Sequence, residues 1–248
     1  MNISLAAEPL IQLGPLTVTN SLLVALLVGL FFIALAAVFQ SLKLKPVPHG
    51  LQNLLETIVE GALQFMASVT GSRERAQRFF PLVGTIFFFV LLANWFGLFP
   101  GVGSVGLKEV HNGSTVIVPF LRSASADLNG TLAIALISVL GTQIFGIAAI
   151  GFFKHAGKYL NFHNPILFFV GLLEMVSEAA RVVSFSFRLF GNIFAGEVLL
   201  IVVSSLVPYV APLPFLFLEI FVGFIQALVF SLLTLVFLTT ATVEHAEH

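Results

Sequence analysis

The chain has 248 residues, 58% of them hydrophobic and only 9% charged, with 28 Phe, no Cys and a formal net charge of −1; its mean hydropathy is +1.06. Soluble domains carry about 25% charged residues, so the composition excludes a water-soluble globule, and the near-neutral balance excludes the basic footprint of a nucleic-acid binder. Without cysteine there are no disulfides, thiolate zinc sites or thiol catalysis. What remains is an all-α polytopic membrane protein, read as a single membrane domain over residues 1–248.

Met1–Asn20 lacks a basic start and carries Glu8, Pro9, Gly14 and Pro15, so it does not read as a cleavable signal peptide. Residues 21–42 are apolar and long enough to cross a ~30 Å hydrocarbon core; Lys43 and Lys45 end the segment, and Pro46 and Pro48 stop the helix. Residues 51–69 differ. Leu51, Leu54, Leu55, Ile58, Ala62, Phe65, Met66 and Val69 repeat at helical spacing, and Gln52, Asn53, Glu56, Glu60, Gln64 and Ser68 fill the other face. The pattern predicts an amphipathic helix lying on the membrane surface. Its polar face is acidic, whereas lipid-binding helices favour Lys and Arg, so that face suits docking to another protein or plain solvation.

Arg73, Arg75 and Arg78 lead into a second span, 79–99, whose Asn94 and Trp95 suit the membrane interface. The polar loop 100–126 follows, and Lys108–Val118, around Asn112–Gly113, is expected to form a small hairpin. The third span is 128–153, trailed by Lys154, His155 and Lys158. Pro165 then opens a stretch, 165–206, with no further proline until Pro208. At 1.5 Å per residue it measures about 60 Å, twice the bilayer core. Breaks at Gly171, Gly191 or Gly196 would resolve the excess; a single long, strongly tilted helix is the reading adopted. Pro208, Pro212 and Pro214 make the turn, and 215–242 returns as a second tilted helix. The histidines His49, His111, His155, His163, His245 and His248 fall in loops or the tail without ligand spacing, and read as solvated.

Orientation follows from the Lys and Arg residues. Lys43, Lys45, Arg73, Arg75, Arg78, Lys154 and Lys158 share one side, Lys108 and Arg122 the other, and Arg181 and Arg188 lie within the long helix. The positive-inside bias makes the first side cytoplasmic, with the N-terminus outside and the C-terminus inside.

A central arginine in a membrane helix costs roughly 2.5–3.5 kcal/mol on insertion scales. Arg188 therefore needs protein or a water-filled cavity, and an anionic partner. At 3.6 residues per turn, Glu174, Ser177, Glu178, Arg181, Ser184 and Asn192 all lie within about 80° of Arg188 and form one polar stripe, while Glu197 lies about 180° away. Glu219 and Gln226 share a face of the last helix, and Asp127 sits where the third span begins. Carboxylates have adjustable pKa values and suit proton relays; arginine keeps its charge and acts as a fixed barrier. Titratable groups on both sides of such a cation describe two half-channels, and a carrier must present a carboxylate to Arg188. The sequence places no internal carboxylate on that face at that depth.

Structural readings stand beside these. Arg188 can pair within the chain, Arg181 can simply neutralise Glu178, and Asp127 can be only an N-cap. Glu197 and Glu219 can be helix–helix contacts, and Gln226 can serve hydrogen bonding alone.

The run Arg188-Leu189-Phe190-Gly191-Asn192-Ile193-Phe194-Ala195-Gly196-Glu197 resembles the signature of subunit a of the F-type ATP synthase, and the order of elements resembles that family from about Leu22 to Glu244. The resemblance implies that Arg188 faces the essential carboxylate of a rotating c-ring. It implies proton-path roles for Asn192, Glu197, Gln226, Glu174 and Asp127, and for Glu219, which replaces the histidine of many bacterial members; Glu178 rests on the stripe alone. It further implies c-ring and peripheral-stalk b subunits as partners beside the lipid bilayer, a bacterial inner membrane with an organellar one as alternative, and no cofactor or metal. No G-x-x-x-x-G-K-[ST] phosphate loop is present, so the subunit would bind no nucleotide and would not be catalytic alone. One rival is a self-contained secondary transporter using Arg188 to bind an anion, which would show inverted repeats and helices broken at midplane. Another is a respiratory membrane anchor, which would not require carboxylates on both sides of a buried arginine.

Overall fold

In a computed structural model of the protein, residues 7–14, 16–41, 49–99, 106–111, 114–159, 165–208 and 210–242 are described. The elements are β1 (Pro9–Leu13), β2 (Leu16–Thr19), α1 (Asn20–Ser41), α2 (Leu51–Thr70), α3 (Arg73–Phe96), β3 (Gly106–His111), β4 (Ser114–Pro119), α4 (Leu128–Ile150), α5 (Phe152–Tyr159), α6 (Pro165–Leu206) and α7 (Pro212–Thr242), with a 3₁₀ turn at Ala124–Ala126 before α4. Five helices (α1, α3, α4, α6 and α7) are long and apolar enough to cross a bilayer. The expected helix stop at Lys43–Pro48, the Asn112–Gly113 turn and the tail Val243–His248 lie outside the described residues.

Several boundaries move for local reasons. α2 ends where Gly71 takes φ +69, a left-handed cap that costs glycine nothing. α3 starts six residues before the expected span and runs through Pro81, whose missing N–H the helix tolerates at the loss of one bond. α4 stops at Ile150, because Gly151 at φ +92 turns the chain into a separate helix, α5. α6 is one unbroken helix of 42 residues: none of its glycines breaks it. α7 begins at Pro212, where the ring's fixed φ suits a first helical position. The hairpin expected in the long loop forms as β3 and β4, Lys108 opposite Ile117. A second hairpin, β1–β2, precedes α1, and no sequence expectation covered it.

The chain divides into two compact units. The first comprises the described residues within Met1–Leu42, Phe88–Thr131 and Ser186–Leu228. Its core joins Val24 and Val28 of α1 to Ala93 of α3 and to Ala124, with Phe89, Leu92, Phe96 and Leu121 packed around them. Polar ties cross it: Asn94 Nδ2 donates to Gly223 O at 3.0 Å, Trp95 Nε1 to Ile220 O at 3.1 Å, and Ser123 Oγ to Ala93 O at 3.1 Å. The Asn94 and Trp95 side chains thus both turn towards α7. Away from water their N–H groups are best satisfied by α7 carbonyls, and Asn94 is buried.

The second unit comprises the described residues within Lys43–Phe87, Leu132–Phe185 and Val229–His248. Met66 of α2, Ala76, Phe79 and Val83 of α3 and Leu235 and Leu238 of α7 form its core. Ser138 and Thr234 share a hydrogen bond of 2.7 Å between α4 and α7. Two parallel bonds of 2.7 Å from the Arg73 guanidinium to Glu60 fasten the polar face of α2 to the start of α3.

Candidate functional site

The first unit carries most of the charges singled out in the sequence. On α6, Leu189, Ile193 and Gly196 face inward, while Phe187, Arg188, Gly191, Asn192 and Ala195 form an exposed strip. The helical period therefore places Arg188 and Asn192 outward, and Glu197 on the opposite side turns into the unit.

There Glu197 meets a residue that the sequence reading placed among loop charges. Arg122 is only 6% exposed. Its Nε lies 3.1 Å from Glu197 Oε2, and its guanidinium sits 5.7 Å from the Phe194 ring centroid, one turn back on α6. Arg122, counted in the sequence among the charges of the outer side, is thus folded inward beside a carboxylate. The only hint in the sequence is position: Arg122 follows Phe120 and Leu121 and precedes Asp127 by five residues.

Glu219 of α7 is 5% exposed. A Cβ at position 196 would collide with both of its carboxylate oxygens, so the glycine of α6 is what makes room for it. Glu219 Oε1 accepts no hydrogen bond among the described residues, a costly state for a buried oxygen. Gln226, half-buried, lies two turns further along the same helix. The structure thus brings Glu219 against α6 at the residue preceding Glu197.

Asp127 is tied at both oxygens. Oδ2 accepts from Ser21 Oγ at 2.8 Å, and Oδ1 from the Asn129 N–H at 3.0 Å. It caps the start of α4 and pins the start of α1, the structural role weighed for it in the sequence.

The second unit holds the other cluster. Arg181 Nη1 lies 2.8 Å from Glu178 Oε1, and its guanidinium stacks 4.1 Å from the Phe237 centroid. Arg181 therefore neutralises Glu178 from one turn away. Tyr159 of α5 donates to Gln143 Oε1 at 3.1 Å and approaches Glu178 Oε1 at 3.5 Å. Burial, and then the charge of Glu178, push the Tyr159 hydroxyl above its ordinary pKa, which keeps it a donor. His155 Nε2 lies 2.6 Å from the same Gln143 oxygen. His155 is buried at 6%, not solvated, because Gly146 leaves space for its ring: a Cβ there would fall 2.8 Å from Cε1. Its spacing of four from Tyr159 on one helix face was the available signal. Glu174, half-buried, stands one turn before Glu178.

The residues 19–239 match the family model described as ATP synthase A chain. The chain belongs to this family. Similar proteins include ATP synthase subunit a of Campylobacter jejuni (strain 81-176), 37% identical over 217 residues and covering 86% of each chain. ATP synthase subunit a of Gloeobacter violaceus is 38% identical over 248 residues, 96% of this chain and 89% of that one. The counterpart in Syntrophobacter fumaroxidans is 37% identical, covering 82% and 76%. For an ATP synthase A chain the two clusters on α6 acquire a context: a multi-pass membrane component of ATP synthesis and ion transport.

Proposed function

We propose that the chain is the proton-conducting stator subunit of an F-type ATP synthase. A proton enters from outside through the region of Asp127, Glu197, Glu219 and Gln226, and passes to a carboxylate of the rotating c-ring. Rotation carries it round, Arg188 keeps the arriving rotor site ionised, and the proton leaves by the Glu174 and Glu178 side. Asn192, beside Arg188, helps to orient the rotor carboxylate. Each elementary charge crossing the membrane is worth about 2.3 kcal/mol per 100 mV. ATP chemistry belongs to the partner sector, and b subunits would hold this chain against rotation. The membrane is the bacterial inner membrane, with the N-terminus outside and the C-terminus inside.

The observation that supports this reading most is the exposed strip bearing Arg188 and Asn192 on a helix that is otherwise bilayer-compatible. Hydrocarbon does not accommodate an outward guanidinium. A partner surface with a carboxylate does, and it can move past the strip. Replacing Arg188 by Ala should abolish ATP-driven proton pumping in membrane vesicles while the complex still assembles. Normal pumping by fully assembled Arg188→Ala complexes would end the proposal.

A further inference from the structure

We infer that Tyr159 is a positioning residue for the cytoplasmic half-channel: its hydroxyl moves from Gln143 to Glu178 when that carboxylate ionises, and returns when it is protonated. The inference rests on the proposed function and assigns part of it to α5. It begins from hydrogen-bond geometry within the second unit. Gly151 turns the chain so that α5 brings His155 and Tyr159, one turn apart, to Gln143 of α4. Both end on one atom: His155 Nε2 lies 2.6 Å from Gln143 Oε1, and Tyr159 donates to the same oxygen at 3.1 Å. The two rings meet edge to face with centroids 5.7 Å apart, which helps to set the direction of the phenol. The hydroxyl comes to rest 3.5 Å from Glu178 Oε1, long for an O–H donor but within a small rotation of one.

A hydroxyl has one hydrogen and serves one of these acceptors well at a time. Charge decides which. A hydrogen bond to an ionised carboxylate is roughly twice as strong as one to a neutral amide oxygen, so ionised Glu178 draws the hydrogen away from Gln143. Gln143 is not left bare, because His155 faces the same oxygen. Arg181 holds Glu178 Oε1 at 2.8 Å, while Oε2 is buried with no hydrogen bond among the described residues and is the open place for a proton. With the proton there, Oε1 becomes a neutral acceptor and the hydroxyl returns to Gln143. Burial, and then the Glu178 charge, hold Tyr159 above its ordinary pKa, so it offers its hydrogen without losing it. Among the described residues the charges that act on it are Glu178, Glu174 and Arg181, all on α6; α7 sets the Phe237 ring against Arg181.

The test compares assembly and proton flux in inverted membrane vesicles carrying Tyr159→Phe, Glu178→Gln and both together, with Arg188→Ala alongside. Phenylalanine keeps the ring and removes only the donor. Tyr159→Phe should assemble and lower ATP-driven pumping about two- to threefold, the scale of one hydrogen bond. In gradient-driven ATP synthesis the proton leaves at the cytoplasmic face. There the deficit should grow as the pH at that face falls, because ionising Glu178 then depends most on the donor. In the Glu178→Gln background, adding Tyr159→Phe should change flux by less than about 1.5-fold, since the amide keeps the acceptor oxygen but never ionises. A further loss there as large as in the unaltered chain would show that the hydroxyl only braces α5, and would overturn the assignment. So would full flux in Tyr159→Phe, failure of that variant to assemble, or a deficit equal at every pH. These results leave the proposed function standing if Arg188→Ala is inactive. Normal pumping by assembled Arg188→Ala complexes would instead remove the reading beneath the inference.

Discussion

Two carboxylates, the buried Glu219 of the first unit and the half-buried Glu178 of the second, are treated very differently by their neighbours. Glu178 faces two donors on one oxygen, Arg181 at 2.8 Å and the Tyr159 hydroxyl at 3.5 Å, and behind Tyr159 the Gln143 Oε1 accepts from that hydroxyl and lies 2.6 Å from His155 Nε2. Glu219 rests against a glycine and keeps one oxygen without a hydrogen bond. The difference shows that the identity of a buried acid decides little. Its availability for proton exchange depends on whether a fixed cation would be stranded when it is neutralised. By that criterion Glu219 suits the relay role proposed for it, and Glu178 is anchored on one oxygen while Oε2 remains buried without a partner among the described residues.

The largest expected effect tests that contrast directly. Glu219→Gln should cut ATP-driven pumping by at least about tenfold, a loss corresponding to roughly 1.4 kcal/mol. Glu178→Gln, which keeps an oxygen for Arg181 and Tyr159, should cost only a few-fold. Equal losses in assembled complexes would erase the distinction. Next comes Gly196→Ala. The atoms in the way of its methyl group are the ends of the flexible Glu219 side chain, so assembly should be preserved while the carboxylate is displaced. Pumping should fall about two- to fivefold, within the same scale of energies, and a silent variant would argue that the position of Glu219 does not matter.

The smallest effect lies outside both clusters. Hydrogen bonds from Arg73, then from Gln64, hold the exposed Glu60 carboxyl below the ordinary carboxylate range. A depressed pKa means that the pair's stabilisation is present above the unfolded-state value, about 4.3, and is lost as pH falls through the lower folded-state value. Glu60→Gln should therefore lower the melting temperature slightly at pH 7 and have no effect once the medium is acidic enough to protonate Glu60. A difference that persists in strong acid would show that the side chain acts through packing instead of charge. Being exposed, the pair should also weaken with added salt.

The sequence by itself determined the membrane character, the five long apolar helices and the polar stripe of α6, because these depend on composition and on the 3.6-residue period along one element. It also carried the motif by which the family could be expected. It could determine that Glu197 faces away from Arg188, since that is an angle on a single helix. What that opposite face meets was decided only by the tertiary structure. Arg122, which the sequence puts in a polar loop, is folded inward onto Glu197, and Gly196, one of several glycines in α6, makes room for Glu219. His155 reads as a loop residue until Gly151 breaks the third span and turns α5 so that the ring is buried beside Gln143. The physical reason is common to all three. Periodicity records which side of a helix a residue occupies, but burial, and with it the strength of every charge in the site, is set by residues distant in sequence that the fold brings alongside.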